Sequence, residues 1–271
     1  MAAKKKSRPA PWLYLFGVLA WTWIGLAPAV FSTRGLLEFP VVIFSIIGLL
    51  GPIIVPALLI ASGRWDESLD PTVGHFFRRC FDPRGLSALW YLWVVGLVAI
   101  LVVTPVLLEP DTRVGGGIVD AGPGLFLIIG ALGALEEPGW RGYAQEGLQR
   151  RMPVLLAGLI IGVFWATWHL PLFFIEGTYQ AGLGVGSPAF WAFHLAIVVG
   201  APFYAWLYNA AGRVIFVAVL YHGLSNMGRE LTPDASVLAE VGVEAAMTLV
   251  VVVVAWRWMR RPVPQGQTKQ P

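Results

Sequence analysis

The chain has 271 residues, of which 57% are hydrophobic and only 13% are charged, and its mean hydropathy is +0.69. A soluble domain is about half apolar and about a quarter charged, and a small fold cannot bury this much apolar sequence, so a soluble protein is excluded. Disorder is also excluded, because disordered chains are rich in charge and poor in aromatic residues, whereas 13% of this chain is aromatic. The composition therefore predicts a polytopic integral membrane protein in contact with the lipid bilayer.

The net charge and the cysteine content exclude further kinds of partner and site. The formal net charge is +3, and in a membrane protein an excess of Lys and Arg marks cytoplasmic loops. A nucleic-acid partner is therefore not expected. The single cysteine, Cys80, excludes an intramolecular disulfide framework and a metal site built from several cysteines.

Eight apolar segments are candidates for membrane spans, since a transmembrane helix needs about 20 predominantly apolar residues. None of them alternates as the strands of a membrane barrel do. The predicted fold is all-α, a polytopic helical bundle with about eight transmembrane helices in a single domain over residues 12–260. The predicted spans, of which the seventh is short and the fourth carries charges, are Trp12–Phe31, Phe39–Ala61, Ser87–Leu108, Gly122–Gly147, Pro153–Ile175, Pro188–Ala210, Arg213–Gly228 and Val237–Met259.

The positions of Lys and Arg predict how the bundle is oriented. An even number of spans puts both termini on one side, and a cytoplasmic N-terminus places all but Arg34, Arg113 and Arg229 of the 19 basic residues on that side. This distribution obeys the positive-inside rule. We therefore expect a basic cytoplasmic tail over residues 1–11 and a disordered cytoplasmic tail over residues 261–271. The first apolar run is expected to be retained as a helix, because it lacks the cleavage site of a signal peptide.

Ionisable residues at membrane depth are costly, so each is a candidate functional residue. The fourth predicted span contains adjacent carboxylates, Glu136 and Glu137, followed by Arg141. Arg141 lies four residues after Glu137, so helical spacing predicts an ion pair between them. Glu136 is rotated about 100° away from Glu137 around the helix. A purely structural ion pair would explain Glu137 and Arg141 but not Glu136, which is therefore the candidate for chemistry.

Two further spans carry polar residues. His169 lies four residues after Trp165, on a helix that Pro171 is expected to kink or end. His222 and Asn226 are four residues apart, so they share a helix face. Both side chains can donate hydrogen bonds to an oxyanion, although a hydrogen-bonded pair between helices is an equally good interpretation of these two residues alone.

Taken together, these residues supply a base, a histidine, hydrogen-bond donors and a charge-holding arginine on membrane helices. Such a set suits hydrolysis of a peptide bond by an activated water. The sequence has neither a serine in a G-x-S-x-G turn nor an H-E-x-x-H zinc motif. The alternatives are a proton-coupled transporter, since buried Glu, His and Arg also form proton relays, and a non-catalytic scaffold or immunity protein.

The three motifs resemble those of a known family. Glu136-Glu137 with Arg141, Trp165-x-x-x-His169 and His222-x-x-x-Asn226 are similar to the E-E-x-x-x-R, F-x-x-x-H and H-x-x-x-N/D motifs of the CPBP family, the CAAX proteases and bacteriocin-processing proteins. The resemblance extends over residues 135–226, and the first motif is its most specific part. It implies an eight-helix core and an intramembrane endopeptidase of the glutamate type, with the catalytic core at about residues 122–228.

The resemblance also implies roles for individual residues. Glu136 and His169 would activate the water, Glu137 and Arg141 would support them, and His222 and Asn226 would bind the oxyanion. The chain departs from the family at Trp165, where the family usually has Phe, and this change is expected to affect the fit of the substrate more than catalysis.

Cofactors and partners follow from the same resemblance. The family was long described as metalloproteases, so zinc bound by Glu136, His169 and His222 is an alternative to the metal-free site that we expect. The expected partner is a peptide or protein substrate, with prenylated and membrane-embedded substrates among the candidates. The loop Ser62–Leu86, between the second and third spans, is expected to be a solvated linker.

Overall fold

The structure is a computed structural model that describes residues 9–66 and 69–263. Every regular element in these two ranges is a helix, so the predicted all-α class is confirmed. Most of the two predicted tails, residues 1–8 and 264–271, lies outside the described residues.

The first two predicted spans differ in how regular they are. Helix α1 (Pro11–Val30) has 20 residues and matches the first predicted span. The second predicted span is two helices, α2 (Val41–Leu49) and α3 (Gly51–Ala61), bent by 58° relative to each other. The break falls just before Pro52, which has no amide hydrogen and so favours the first turn of a new helix. The prediction of one continuous helix was wrong for this reason.

The segment Ser62–Leu86 is not a solvated linker, which corrects the prediction from the sequence. Its described part contains helix α4 (Val73–Phe81) and a short 3-10 turn at Pro83–Gly85. Phe76 and Cys80, on one face of α4, are fully buried in the main hydrophobic core. The apolar face of α4 thus packs against the bundle, an arrangement set by side chains that lie four residues apart.

The fourth predicted span is interrupted where its charges begin. Helix α5 (Ala88–Leu108) is regular, but α6 (Gly116–Ala134) ends before Glu136. A π-helical segment then runs over Pro138–Gln145 and continues into α7 (Glu146–Leu148). A proline inside a helix removes one backbone hydrogen bond, and π-helical turns accommodate such disruptions, often at functional sites. The prediction of one helix over residues 122–147 was therefore wrong.

The fifth and sixth predicted spans follow the sequence signals closely. Helix α8 (Val154–Trp168) gives way to a 3-10 helix at Leu170–Phe174. The expected interruption at Pro171 is thus confirmed. A short helix α9 (Tyr179–Leu183) leads into α10 (Pro188–Ala210).

The last two predicted spans are shorter than expected. Helix α11 (Phe216–Glu230) begins three residues later than predicted, because Gly212 and Arg213 adopt positive φ angles of 68° and 67° that end the preceding helix. Helix α12 (Val237–Val254) is followed by α13 (Trp256–Met259).

The predicted count of eight transmembrane helices is not confirmed. In the described ranges, five segments are long and apolar enough to cross a membrane, and six if α2 and α3 together form one bent span. Neither the predicted fourth span nor the predicted seventh is among these segments: α6 is kinked at Gly122, whose φ and ψ are non-helical, and α11 has only 15 residues. Apolar side chains on the outer helices face away from the core, as Leu92 on α5 and Val254 on α12 show, which is the arrangement of a protein surrounded by lipid.

The helices that carry the candidate residues pack closely. Helix α11 lies against α6, and α8 lies against α10. Gly130 on α6 has no room for a side chain, since a methyl group there would come within 2.6 Å of Met227 and 3.1 Å of the carbonyl oxygen of Gly223 on α11. Small residues at such contacts let membrane helices approach closely. This contact places His222 and Asn226 directly against the end of α6.

Candidate active site

The polar residues singled out from the sequence lie at the point where α6 ends. Glu136 is in the turn after α6, and Glu137 and Arg141 start the π-helical segment. His169 is the residue that ends α8, whereas His222 lies on α11. Three helices and one irregular turn therefore contribute to one cluster of polar residues.

Glu137 is the centre of a fully buried network. Its Oε1 atom accepts hydrogen bonds from Arg141 Nη1 at 3.2 Å and from His222 Nδ1 at 2.8 Å. The side chains of Glu137 and Arg141 are 0% exposed, so the ion pair predicted from their spacing is confirmed. The Arg141 guanidinium carbon also lies 4.2 Å from the ring centre of Tyr204, a cation–π contact that helps to offset the cost of burying the charge.

Glu136 faces a different set of partners and is only half-buried. Its Oε2 atom accepts hydrogen bonds from two indole groups, Trp165 Nε1 at 2.7 Å and Trp140 Nε1 at 3.3 Å. Its other oxygen, Oε1, has no hydrogen-bond partner among residues 9–66 and 69–263. The two adjacent carboxylates thus have different environments. Glu137 accepts hydrogen bonds from a guanidinium and an imidazole, whereas Glu136 accepts them from two neutral indole groups.

His169 is held by the backbone of its own helix. Its Nδ1 atom lies 2.8 Å from the carbonyl oxygen of Trp165. A carbonyl only accepts, so Nδ1 must carry the hydrogen and donate it. In the neutral ring the lone pair is then on Nε2, which is the atom available to a substrate or a water. The side chain is half-buried.

His222 and Asn226 both contact the end of α6, as expected of residues on one helix face. A methyl group built on Gly133 would lie 2.9 Å from His222 Cδ2 and closer still to the Asn226 amide nitrogen. His222 is buried and already bonded to Glu137 through Nδ1, whereas Asn226 is half-buried. In the described part of the chain, the Asn226 amide makes no hydrogen bond.

The six predicted residues therefore fall into two groups. Glu137, Arg141 and His222 form a buried network with direct hydrogen bonds among them. Glu136, His169 and Asn226 are half-buried and each retains a polar atom that a substrate could reach. Direct hydrogen bonds thus hold the first group together, whereas the second group is the more exposed one.

Two tryptophans are part of the site although the sequence did not assign them a polar role. Trp165 was expected to affect the fit of the substrate, but its indole donates to Glu136, as does the indole of Trp140. Trp140 follows Glu136 by four residues, a spacing that allows such a contact within a helix. The contact from Trp165 joins residues 29 positions apart, and no local pattern predicts it.

A second buried polar network holds the far end of the π-helical segment. Glu146 is 1% exposed. It accepts hydrogen bonds from Arg150 Nη2 at 3.0 Å and from the Tyr208 hydroxyl at 2.8 Å, and it forms an ion pair with Arg213. Arg150 also bonds to Asp66 at 2.9 Å. These contacts tie the segment to α10 and to the loops before α4 and α11, so both ends of the segment are fixed.

The zinc alternative requires Glu136, His169 and His222 to converge. Each histidine leaves Nε2 free while Nδ1 is hydrogen-bonded, which is the usual arrangement of a histidine ligand. Their positions, however, do not form a site: among the described residues, no group of three His, Cys, Asp or Glu side chains could hold a metal ion. The donor chemistry fits zinc and the arrangement does not.

Comparisons with known proteins agree with the motifs. The model of the family "Type II CAAX prenyl endopeptidase Rce1-like" matches residues 120–228, a range that contains all six predicted residues. A curated protein of Methanococcus maripaludis, "CAAX prenyl protease 2", is 29% identical over 212 residues, which cover 72% of this chain and 75% of that protein. The chain is therefore similar, over the part that contains the three motifs, to the Type II CAAX prenyl endopeptidases.

Proposed function

We propose that the protein is an intramembrane endopeptidase of the CAAX type, in which Glu136 and His169 activate water and Asn226 and His222 bind the oxyanion. Similarity to a family of CAAX prenyl endopeptidases and to a CAAX prenyl protease supports an endopeptidase. The observation that carries the assignment of residues is the environment of Glu136. One of its oxygens is fixed by two indole donors, and the other is unpaired within the described part of the chain.

The reaction would proceed by general base catalysis. Glu136 Oε1 takes a proton from a water whose oxygen attacks the carbonyl carbon of the scissile peptide bond. His169 Nε2 accepts a hydrogen bond from the same water and so orients it. When the tetrahedral intermediate collapses, the C–N bond breaks and the proton taken from the water passes to the leaving nitrogen. Every proton is thus accounted for by protein groups.

The negative charge that develops on the carbonyl oxygen needs hydrogen-bond donors. The Asn226 amide supplies one N–H group. His222 supplies a second through Nε2 when its ring carries two protons, because Nδ1 then still donates to the Glu137 carboxylate. The buried network of Glu137 and Arg141 holds His222 in place for this role.

The substrate and the membrane orientation are part of the same proposal. The name of the archaeal relative indicates a substrate with a prenylated C-terminal CAAX sequence, so a short peptide of this type is the first substrate to test. We propose that both termini are cytoplasmic, because the Lys and Arg residues are concentrated on that side.

The test is cleavage of a farnesylated CAAX peptide by the full-length protein in liposomes. We expect cleavage by the wild type and its loss, by at least about a thousandfold, in Glu136→Gln, because the base is removed while the shape is kept. Glu38→Gln, at an exposed carboxylate in the loop before α2, is the matched control and should retain activity. Full activity in Glu136→Gln would overturn the assigned role.

The metal-free character is tested in the same assay. We expect activity to survive dialysis against a strong zinc chelator, since the proposed reaction uses protein groups only. Loss of activity on chelation, with recovery on addition of zinc, would instead establish a metal-dependent enzyme. Proton uptake into vesicles that is abolished in Glu136→Gln, with no peptide cleaved by the wild type, would favour a transporter.

A further inference from the structure

Trp165 contacts both groups that are proposed to activate the water. Its indole Nε1 donates to Glu136 Oε2 at 2.7 Å, and its backbone carbonyl accepts the hydrogen of His169 Nδ1 at 2.8 Å. One residue on α8 thus fixes a carboxylate on a different element and an imidazole one turn further along its own helix. In the described part of the chain, no other residue bonds to both groups.

The indole itself cannot turn easily. Trp165 is only 6% exposed. The Arg141 guanidinium carbon lies 4.7 Å from the centre of its ring, and the ring of His222 packs edge-on against it at 5.2 Å. Tyr204 packs edge-on as well, at 5.4 Å. An indole held on several sides presents its N–H group in one direction, which is the condition for a donor that orients its partner.

The direction of these two hydrogen bonds decides which atoms remain free. Because Trp165 and Trp140 both donate to Oε2, Oε1 is the oxygen of Glu136 left to accept a proton. Because the carbonyl of Trp165 holds Nδ1–H, Nε2 is the nitrogen of His169 left with a lone pair. The two free atoms are those that general base catalysis requires.

We infer that Trp165 is a positioning residue, whose indole N–H holds the Glu136 carboxylate in register with His169 so that both act on one water. This inference rests on the proposed function. It assigns Trp165 a hydrogen-bonding role in the reaction, beyond packing against the substrate. The role depends on the N–H group and not on the aromatic ring.

The test compares two Trp→Phe variants in the full-length protein in liposomes with a farnesylated CAAX peptide. Trp165→Phe removes the N–H donor, keeps an aromatic ring and leaves the backbone carbonyl in place. Trp65→Phe is the matched control, because the Trp65 indole is also buried and also donates to a carboxylate, Asp70 Oδ2 at 3.0 Å, outside the site. Each variant loses one indole-to-carboxylate hydrogen bond.

We expect kcat of Trp165→Phe to fall by about ten- to a hundredfold with KM changed less than about twofold, since a misplaced base slows the reaction without weakening binding. Trp65→Phe should retain the wild-type kcat. Replacing Trp165 with benzothienylalanine, which has the shape of tryptophan but sulfur in place of N–H, should reproduce the loss. A purely structural role would leave the benzothienylalanine protein as active as the wild type.

The outcomes separate this inference from the proposed function. Wild-type kcat in both Trp165→Phe and the benzothienylalanine protein, with Glu136→Gln inactive, would overturn the positioning role and leave the proposed function intact. A rise in KM at unchanged kcat would assign Trp165 to substrate binding and would also overturn the positioning role. Full activity in Glu136→Gln would overturn the proposed function itself.

Discussion

His222 Nδ1 lies 2.8 Å from Glu137 Oε1, in a hydrogen bond that joins residues 85 positions apart in the chain. Glu137 is fixed at the same time by Arg141. A carboxylate that accepts from a guanidinium and from an imidazole makes charge-assisted hydrogen bonds, which are the stronger kind. The third motif is therefore held against the first by a buried carboxylate that is not itself the proposed base.

Removing this carboxylate should destabilise the protein. In Glu137→Ala the Arg141 charge stays buried without its partner, which costs about 3–5 kcal/mol. We expect a marked fall in the thermal unfolding temperature in detergent micelles, with loss of cleavage. Glu38→Ala, at an exposed carboxylate, serves as the control.

A double variant distinguishes the buried charge from a general packing defect. Glu137→Met combined with Arg141→Met leaves no buried ion and should recover part of the lost stability, because apolar residues of similar volume often replace a buried pair at little cost. Cleavage should remain absent. Unfolding of Glu137→Ala at the wild-type temperature would contradict this account of the network.

The close contact between α6 and α11 should make Gly133 sensitive to the smallest substitution. A methyl group at this position would collide with the Asn226 amide and lie 2.9 Å from His222 Cδ2. We expect Gly133→Ala to lower kcat at least tenfold, because both oxyanion donors are displaced. Gly124→Ala, on the same helix with open space around it, should leave kcat unchanged. Equal activities of the two variants would show that the contact does not position the donors.

Asn226 provides the most direct test of oxyanion binding. Loss of one such donor typically lowers kcat by about 10²–10³-fold, so Asn226→Ala should show this loss with little change in KM. The neighbouring Ser225 is the control: it is buried, and its hydroxyl donates to the carbonyl oxygen of His222 at 3.0 Å. Ser225→Ala should stay active, and its inactivation would point to a serine nucleophile instead.

Asp70 should make the segment after α3 sensitive to acid. Burial would raise the pKa of this carboxyl, but hydrogen bonds from Arg79, His75 and Trp65, with the charge of Arg79, hold the pKa below its ordinary value. A carboxyl whose pKa is lowered by folding stabilises the folded state above its unfolded pKa, about 3.9, and that stabilisation is lost as the pH falls through the folded pKa.

Proteolysis with an acid-active protease measures this loss. Below about pH 4, we expect the rate of cleavage within residues 62–86 to rise steeply in the wild type. In Asp70→Asn the rate should be high already at pH 5 and should depend only weakly on pH. A wild-type rate that is independent of pH down to pH 2 would contradict the role assigned to Asp70.

Several features of the structure can be predicted from the sequence alone, because they depend on composition or on interactions between residues close together in the chain. The high apolar content predicts a membrane protein, since no soluble fold of this size can bury so many apolar residues. The four-residue spacing determined that Glu137 pairs with Arg141 and that His222 and Asn226 share a face. Pro171 determined that α8 ends near His169.

Other features of the site depend on contacts between segments that are distant in the chain, and these are visible only in the tertiary structure. The π-helical turn after α6 interrupted one predicted span, and the positive φ angles of Gly212 and Arg213 delayed the start of another. The Trp165 indole meets Glu136 because α8 packs against the π-helical segment that follows α6. A hydrogen bond between helices leaves no periodic trace in a single sequence, because its partners are set by packing and not by spacing. The fold therefore decided which oxygen of Glu136 accepts hydrogen bonds from indole groups and which oxygen is left without one in the described part of the chain.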